Sequence, residues 1–395
     1  LYFQTLDSKG KCVGYYADNK LIFDEVPHNA AKTWCYSPSL QNRDIEYARI
    51  YASGATLTEA CPESFRPEWD EVVKKAGAYS KSFNIAKLNL NDVCIYDLVP
   101  EYFLYKFCKA KDQITKHVIE NNIKPKNYNF MASLIQMLFD IGSHQMNIDI
   151  EPIMTKLVSV KGRNFIKKLQ EINWICHYNP FGTVTGRLTT MPNTFPILTL
   201  PKEFRNCLHP TNDWFLELDY NAAEVRTLLG LSGVEQPSGD IHEWNIEHIY
   251  NNKISRPAAK QKIFEWLYSA RPNKRAEQYY NKKLVKEKYW DGYNVTTEFD
   301  RCIKNVDDHH ALNYIVQSTT SDLVLSRAIK IHNFLKNRGS RIAFMLHDSI
   351  IVDLKHDERH MIPELMSMFG DTDFGEYKVN VALGKSFGNI KKLNL

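Results

Sequence analysis

An α+β fold of two or three packed subdomains is predicted for this chain of 395 residues, and three stretches carry the prediction. From about Pro100 to Asn121, Phe103, Phe107, Ala110, Ile114 and Val118 recur near helical spacing. Trp214-Phe-Leu-Glu-Leu218 reads as a buried strand ending in Asp219, followed by a helix from about Ala222 to Leu231. Arg341 to Leu354 reads as two strands around a tight turn at His347-Asp348-Ser349.

Composition narrows the class. With 44% hydrophobic and 12% aromatic residues the chain can build a core, and its formal charge of +4 permits nucleic acid without demanding it. The eight cysteines include no C-x-x-C pair, which argues against a zinc ribbon or disulfide framework and for a reducing cytosol. No apolar run approaches the roughly 18 residues that cross a bilayer, and no signal-peptide pattern is present, so no membrane partner is expected. Leu1-Tyr2-Phe3-Gln4 resembles a protease-site remnant and is assigned no function.

Along the chain there is no internal repeat, low-complexity tract or flexible linker. Residues 1 to about 85 mix strand-like runs such as Lys20-Leu-Ile-Phe23 with a helical stretch near Trp69 to Ser80, and carry no readable site. Lys124-Pro125-Lys126 breaks the Pro100–Asn121 helix, and a second helix follows from about Phe130 to Ile141. A helical hairpin with a basic turn suits a clamp on a duplex backbone. Another helix is expected from Ser255 to Ala270.

Transfer of a nucleotide from a triphosphate needs divalent metal, because the attacking oxygen and the departing pyrophosphate both develop negative charge. Carboxylates must then converge from rigid elements. Asp219 at a strand end and Asp348 at a hairpin tip are placed for that, although either one alone reads as a turn former or helix cap. Arg256, Lys260, Phe264 and Tyr268 recur every four residues on one slowly drifting side of a helix. At about 1.5 Å per residue the ladder spans roughly 18 Å, enough to lie along a triphosphate, sugar and base. Cations come first, where the helix N-terminus also attracts phosphate, with Ser255 as cap and Pro257 in the first turn. The plainer reading is a surface helix with its aromatics in a core.

In this order, Asp219-Tyr220-Asn-Ala-Ala-Glu224-Val-Arg226 resembles motif A of family A (polymerase I-like) DNA polymerases, Arg256-x3-Lys260-x3-Phe264-x3-Tyr268 resembles motif B, and Leu346-His347-Asp348 resembles motif C. Thr185-Gly186-Arg187-Leu188 with Pro192-Asn193, Phe204-Arg205, Asp240-Ile241-His242 and Asn313-x3-Gln317 are further matches. The similarity is specific from about residue 177 to 355 and looser from about 90.

The resemblance implies a right hand with an antiparallel palm sheet, helical thumb and short helical fingers, in a compact enzyme of phage or viral type. The implied division is an N-terminal region over 1–85, thumb over 86–176, palm over 177–240 and 305–395, and fingers over 241–304. Asp219, Asp348 and the backbone carbonyl of Tyr220 would hold two Mg²⁺ ions. Lys260 would serve the α-phosphate side and protonate pyrophosphate, and Arg256 and His242 would take the outer phosphates. Phe264 would stack on the sugar, while Glu224, bonded to Tyr268, would crowd a ribose 2′-hydroxyl and so select dNTPs. Arg187, Asn313 and Gln317 would check minor-groove shape on primer-template DNA, and His347 and Arg226 would support the primer. Taken singly, most of these side chains read as solvated or capping residues.

Three positions depart from the family: Ser269 stands for Gly, Ala222 for Gln and Ser349 for Glu, which bears on templating-base placement. The stretch from Tyr268 to Asn313 is short, implying trimmed fingers. Asp44-Ile-Glu46 and Asp149-Ile-Glu151 fit a D-x-E tripeptide, but neither follows a buried strand. No 3′–5′ exonuclease is therefore expected, and a separate exonuclease or processivity factor is the expected partner. A viral origin would place the protein in host cytoplasm. The competing readings are a single-subunit RNA polymerase, which Glu224 and Phe264 disfavour, and a non-catalytic duplex-binding protein on a degenerate polymerase fold.

Overall fold

The computed structural model describes residues 1–8, 11–88, 93–269 and 272–393, and its backbone divides into units 1–136 and 137–395. In the first unit, strands Gln4–Ser8 (β1), Lys11–Ala17 (β2) and Lys20–Ile22 (β3) form an antiparallel sheet. Helix Arg66–Ile85 (α1) runs past both ends of the expected Trp69–Ser80 stretch, and Glu101–Asn121 (α2) closely matches its expected span. Trp69 and Tyr79 of α1 lay their rings 6.1 and 4.9 Å from Phe107 and Phe103 of α2. Leu6 and Tyr16 from the sheet close a core with Leu104 and Cys108 of α2.

Phe3 and Gln4, from the segment resembling a protease-site remnant, are fully buried, and Gln4 Nε2 donates to Thr115 Oγ1 at 3.1 Å. The segment is thus part of this unit's interior. After the Pro125 break, helix Tyr128–Ser143 (α3) carries the chain across the division between the units. Helix α2 shares its core with β1 and β2, and the division between the units falls inside α3.

The second unit is organised on strand Trp214–Tyr220 (β4). Phe215, Leu216, Leu218 and Tyr220 are buried, while Glu217 and Asp219 alternate to the less covered face. In chain order there follow helices Ala223–Leu231 (α4), Ile241–His248 (α5), Arg256–Leu267 (α6), Lys282–Tyr289 (α7) and Asp308–Leu335 (α8). Strands Arg341–Leu346 (β5) and Ser349–Leu354 (β6), helix Ile362–Gly370 (α9), and strands Val379–Gly384 (β7) and Lys391–Lys392 (β8) complete it. The five strands pair antiparallel in the order β5-β6-β4-β7-β8, so β4 is central.

Helix α9 covers the buried face of the sheet, with Phe369 stacked on Tyr220 at 4.1 Å. A second core gathers the other helices around Val225, Leu228, Ile263, Trp266, Tyr280, Val285 and Ile315. The expected helix end at Ala270 lies outside the described residues; α6 stops at Leu267 with Tyr268 as its cap. Cys35, Cys61, Cys94, Cys108, Cys176, Cys207 and Cys302 are free, and no described helix is long and apolar enough to cross a membrane.

As an edge strand, β5 has main-chain groups that no neighbouring strand pairs. Tyr178 supplies them inside the protein: its hydroxyl donates to the Met345 carbonyl at 2.6 Å and accepts from the Met345 amide at 2.8 Å, two residues before the His347 turn. Tyr178→Phe strands both groups, and urea unfolding is expected to show a loss of about 1–3 kcal/mol.

Candidate active site

Pairing in the central sheet brings distant acids together. Asp219 stands opposite Ser349 across β4 and β6 and opposite Asn380 across β4 and β7. Asp348 is the neighbour of Ser349 at the tip of the β5–β6 turn, where His347 takes a left-handed φ of +54°. The Ser349 hydroxyl donates to the Leu346 carbonyl at 3.0 Å and ties the turn, a use that suits the small residue found there. Tyr220 spends its ring in the core, with its hydroxyl 2.5 Å from the Phe369 carbonyl, which leaves main chain for the cavity side.

Burial first, and then the negative charge of Asp348, push the Asp219 carboxyl up to about 7. A 3.2 Å hydrogen bond from Asn380 and the charge of Lys260 offset only part of this. Two like charges held together at a cavity floor, with compensation incomplete, fit a divalent cation site.

Above that floor, Arg256, Lys260 and Phe264 of α6 line a cavity of about 460 Å³ with Asp219, Asp348 and Asn380. Arg187, Glu224, His242 and Gln317 also face it. Tyr268, whose amide still donates to the Phe264 carbonyl at 3.3 Å, does not line this cavity with the other three members of its ladder. It faces a second cavity of about 1050 Å³, with Arg187, Glu224, Asn313 and Gln317. Glu224 belongs to both cavities, and its carboxylate takes bonds from the Arg187 guanidinium and the Tyr268 hydroxyl.

Arg187 owes its place to the residue before it. Gly186 has φ +75°, and an added Cβ would lie 2.5 Å from Nη2 of Arg301. That guanidinium is held from below by Asp322, at 2.8 and 2.7 Å.

Several expected roles change. Arg226, read as a primer contact, is fully buried: Nε donates to the Asn221 carbonyl at 2.9 Å, Nη1 to Pro237 at 2.9 Å and Nη2 to Gly239 at 2.6 Å. It holds a loop and cannot reach solvent. His242 lines the cavity, and burial pushes its imidazole down to about 4 in the ligand-free protein. Arg256 is held at 2.5 Å by Asp240, which also caps α5 through the His242 and Glu243 amides. Burial works against the Asp240 anion, yet these bonds and one from Asn221 outweigh it and keep the carboxyl well below its usual range. His347 is exposed at its turn.

Asn380, Asn221 and the Arg301–Asp322 pair escaped the sequence reading. The Asp before Ile241-His242 carried an N-cap signal that could have found Asp240. Nothing local marks Asn380, which reaches Asp219 only through strand pairing.

No family model matches the chain. DNA polymerase I of Thermus aquaticus is 25% identical over 240 residues, 48% of this chain and 29% of that protein. DNA polymerase I of Chloroflexus aurantiacus is 23% identical over 273 residues, 55% of this chain and 29% of its own length. The chain thus spans under a third of the curated relatives it matches. Among solved structures, the POL domain of Pol1 from M. smegmatis, in complex with DNA primer-template and dNTP, superposes with a TM-score of 0.60 at 12% identity. The match covers 88% of this chain and 83% of that one. Over about half its length the chain is similar to DNA polymerase I. Its fold is the right-hand α+β architecture of a polymerase I polymerase domain, as the sequence motifs imply.

Arg226→Met removes a buried cation from three carbonyls and is expected to cost on the order of 3 kcal/mol in urea unfolding. A primer contact would instead weaken DNA binding at unchanged stability. The Asp219 carboxyl gives a second test. Its ordinary value is 3.8, so between there and about 7 the metal-free folded state binds more protons than the unfolded chain. Stability therefore falls as pH rises through that window. Thermal unfolding in chelator at several pH values should show this fall in the parent protein and a flatter profile in Asp219→Asn.

Proposed function

We propose that this chain is a template-directed DNA polymerase that extends a primer with dNTPs by nucleotidyl transfer. The observation that carries the reading is that Asp219, at the end of β4, and Asp348, in the turn beside its pairing partner Ser349, line one cavity with the Arg256–Lys260 face of α6. Asp219, Asp348 and the Tyr220 carbonyl would hold two Mg²⁺ ions, which stabilise charge on the attacking and leaving oxygens.

The chain's own groups account for the remaining requirements. Lys260 stands over the cavity as a cation for the α-phosphate and a proton source for pyrophosphate. Arg256 exchanges its Asp240 partner for an outer phosphate, and His242 donates a hydrogen bond beside it. Phe264, half-buried on its core side, offers a face to the sugar. Glu224, fixed by Arg187 and Tyr268, occupies the space that a 2′-hydroxyl would need. Gln317 and Asn313 project from α8 toward the same wall, where they and Arg187 would read minor-groove acceptors. His347, exposed at its turn, remains free to meet the primer strand. The sheet around β4 corresponds to a palm over 177–240 and 305–395, α5 to α7 to short fingers within 241–304, and 86–176 to a thumb.

We assign no proofreading site to these 395 residues. Both D-x-E tripeptides have structural uses: Glu46 pairs with Lys124 at 2.7 Å, and exposed Asp149 accepts from the Glu151 amide at 2.9 Å. A separate exonuclease would then supply that activity.

Primer extension on a defined template with Mg²⁺ tests the assignment. Asp219→Ala and Asp348→Ala should each slow extension by on the order of 10³-fold or more while primer-template binding persists. Unchanged extension in either refutes the metal assignment. Efficient NTP use by the parent protein would favour the RNA polymerase reading, and trimming of a mismatched primer would refute the absence of proofreading.

A further inference from the structure

Lys282 opens α7 and points its ammonium back at the end of α6. Its Nζ donates to the Trp266 carbonyl and, at 3.1 Å, to the Ser269 carbonyl, and lies 3.8 Å from the centre of the Trp266 indole. The Trp266 carbonyl also accepts from the Ser269 amide at 3.2 Å, and the Lys282 ammonium adds a charged donor that ties this end of the helix to α7. Trp266 and Ser269 flank Tyr268 in sequence. Whatever fixes their carbonyls fixes the turn from which the Tyr268 hydroxyl reaches Glu224.

Lys282 is itself firmly based. The amide of Asn281 donates to the Ser232 hydroxyl at 2.9 Å, and the Asn281 side chain accepts from the Leu284 amide at 3.0 Å to cap α7. Tyr280, fully buried, donates to Asn245 at 2.7 Å. Ser232 caps the C-terminal end of α4, and Glu224 sits in the first turn of the same helix. The contacts therefore form a closed circuit. It runs from Glu224 along α4 to Ser232, across to Asn281 and Lys282, on to the end of α6, and back through Tyr268 to Glu224.

We propose that Lys282 is a positioning residue for sugar selection, clamping the end of α6 so that Tyr268 is held on Glu224. The proposal rests on the reading of Glu224 as the group that excludes a 2′-hydroxyl. Lys282 touches neither Glu224 nor the acids at the cavity floor and acts through Tyr268. Its setting suits a clamp: burial pushes the ammonium down to about 8, more than the charge of Glu277 offsets, and the indole face and two carbonyls carry the compensation. A solvated surface lysine would make none of these contacts.

The test compares Lys282→Met, Lys282→Arg and Tyr268→Phe in single-nucleotide extension with matched dNTP and NTP, alongside hydrogen exchange of the peptide covering residues 264–269. Lys282→Met should lower the dNTP-over-NTP ratio of kcat/KM about tenfold, corresponding to about 1.4 kcal/mol. The double variant with Tyr268→Phe should show no further loss, and Lys282→Arg should restore most of the ratio. Exchange at 264–269 should quicken in Lys282→Met and not in Lys282→Arg. An unchanged ratio in Lys282→Met, where Tyr268→Phe lowers it, overturns the proposal. Weakened primer-template affinity at unchanged selectivity also overturns it and makes Lys282 a direct nucleic-acid contact. If neither the parent protein nor Tyr268→Phe selects between sugars, the Glu224 reading fails. The clamp is then judged by exchange alone, and unchanged exchange refutes it. If Lys282→Met does not fold, Lys282→Gln takes its place with the same outcomes.

Discussion

The structure depends on one electrostatic arrangement: two carboxylates, remote in sequence, are pressed together by strand pairing where burial already opposes their charge. The register of β4 and β6 sets Asp219 opposite Ser349, next to the turn that carries Asp348. A protein gains no stability from such a pair, which is why the Asp219 carboxyl is pushed up toward neutrality. The cost falls on the folded state.

Much of the remaining second unit holds charged side chains around that floor by giving each a structural partner. Asp240 restrains Arg256, Asp322 restrains Arg301 beneath Gly186, and Glu224 is claimed from two sides by Arg187 and Tyr268. Such partners reduce the number of arrangements a ligand must freeze on binding. They also make the wall between the two cavities a shared object: Arg187, Glu224 and Gln317 face both. A change at Glu224 is therefore felt on both sides of it.

The features legible in the sequence were those whose signal is local. The strand ending in Asp219, the turn bearing Asp348 and the spacing of Arg256, Lys260 and Phe264 each sit within one element, and periodicity or turn chemistry exposed them. Tyr268 kept the spacing as the cap of α6 but lines the neighbouring cavity, where its hydroxyl meets Glu224. Arg226 was read as a primer contact from the motif it belongs to; its acceptors are the carbonyls of Asn221, Pro237 and Gly239, which no pattern announces. Asn380 was invisible for the same reason, its partnership with Asp219 being created by the register of β4 and β7. Helix α2 likewise packs on a sheet that the sequence showed only as short strand-like runs.

The most direct measurement of the central arrangement is the number of Mn²⁺ ions bound to a complex with dideoxy-terminated primer-template and matched dNTP, followed by electron paramagnetic resonance. Two site-bound ions are expected in the parent protein, with at least one lost in Asp219→Asn and at least one in Asp348→Asn. An ion count unchanged by both substitutions would show that these acids do not share a metal centre, and the account built on their meeting would fall.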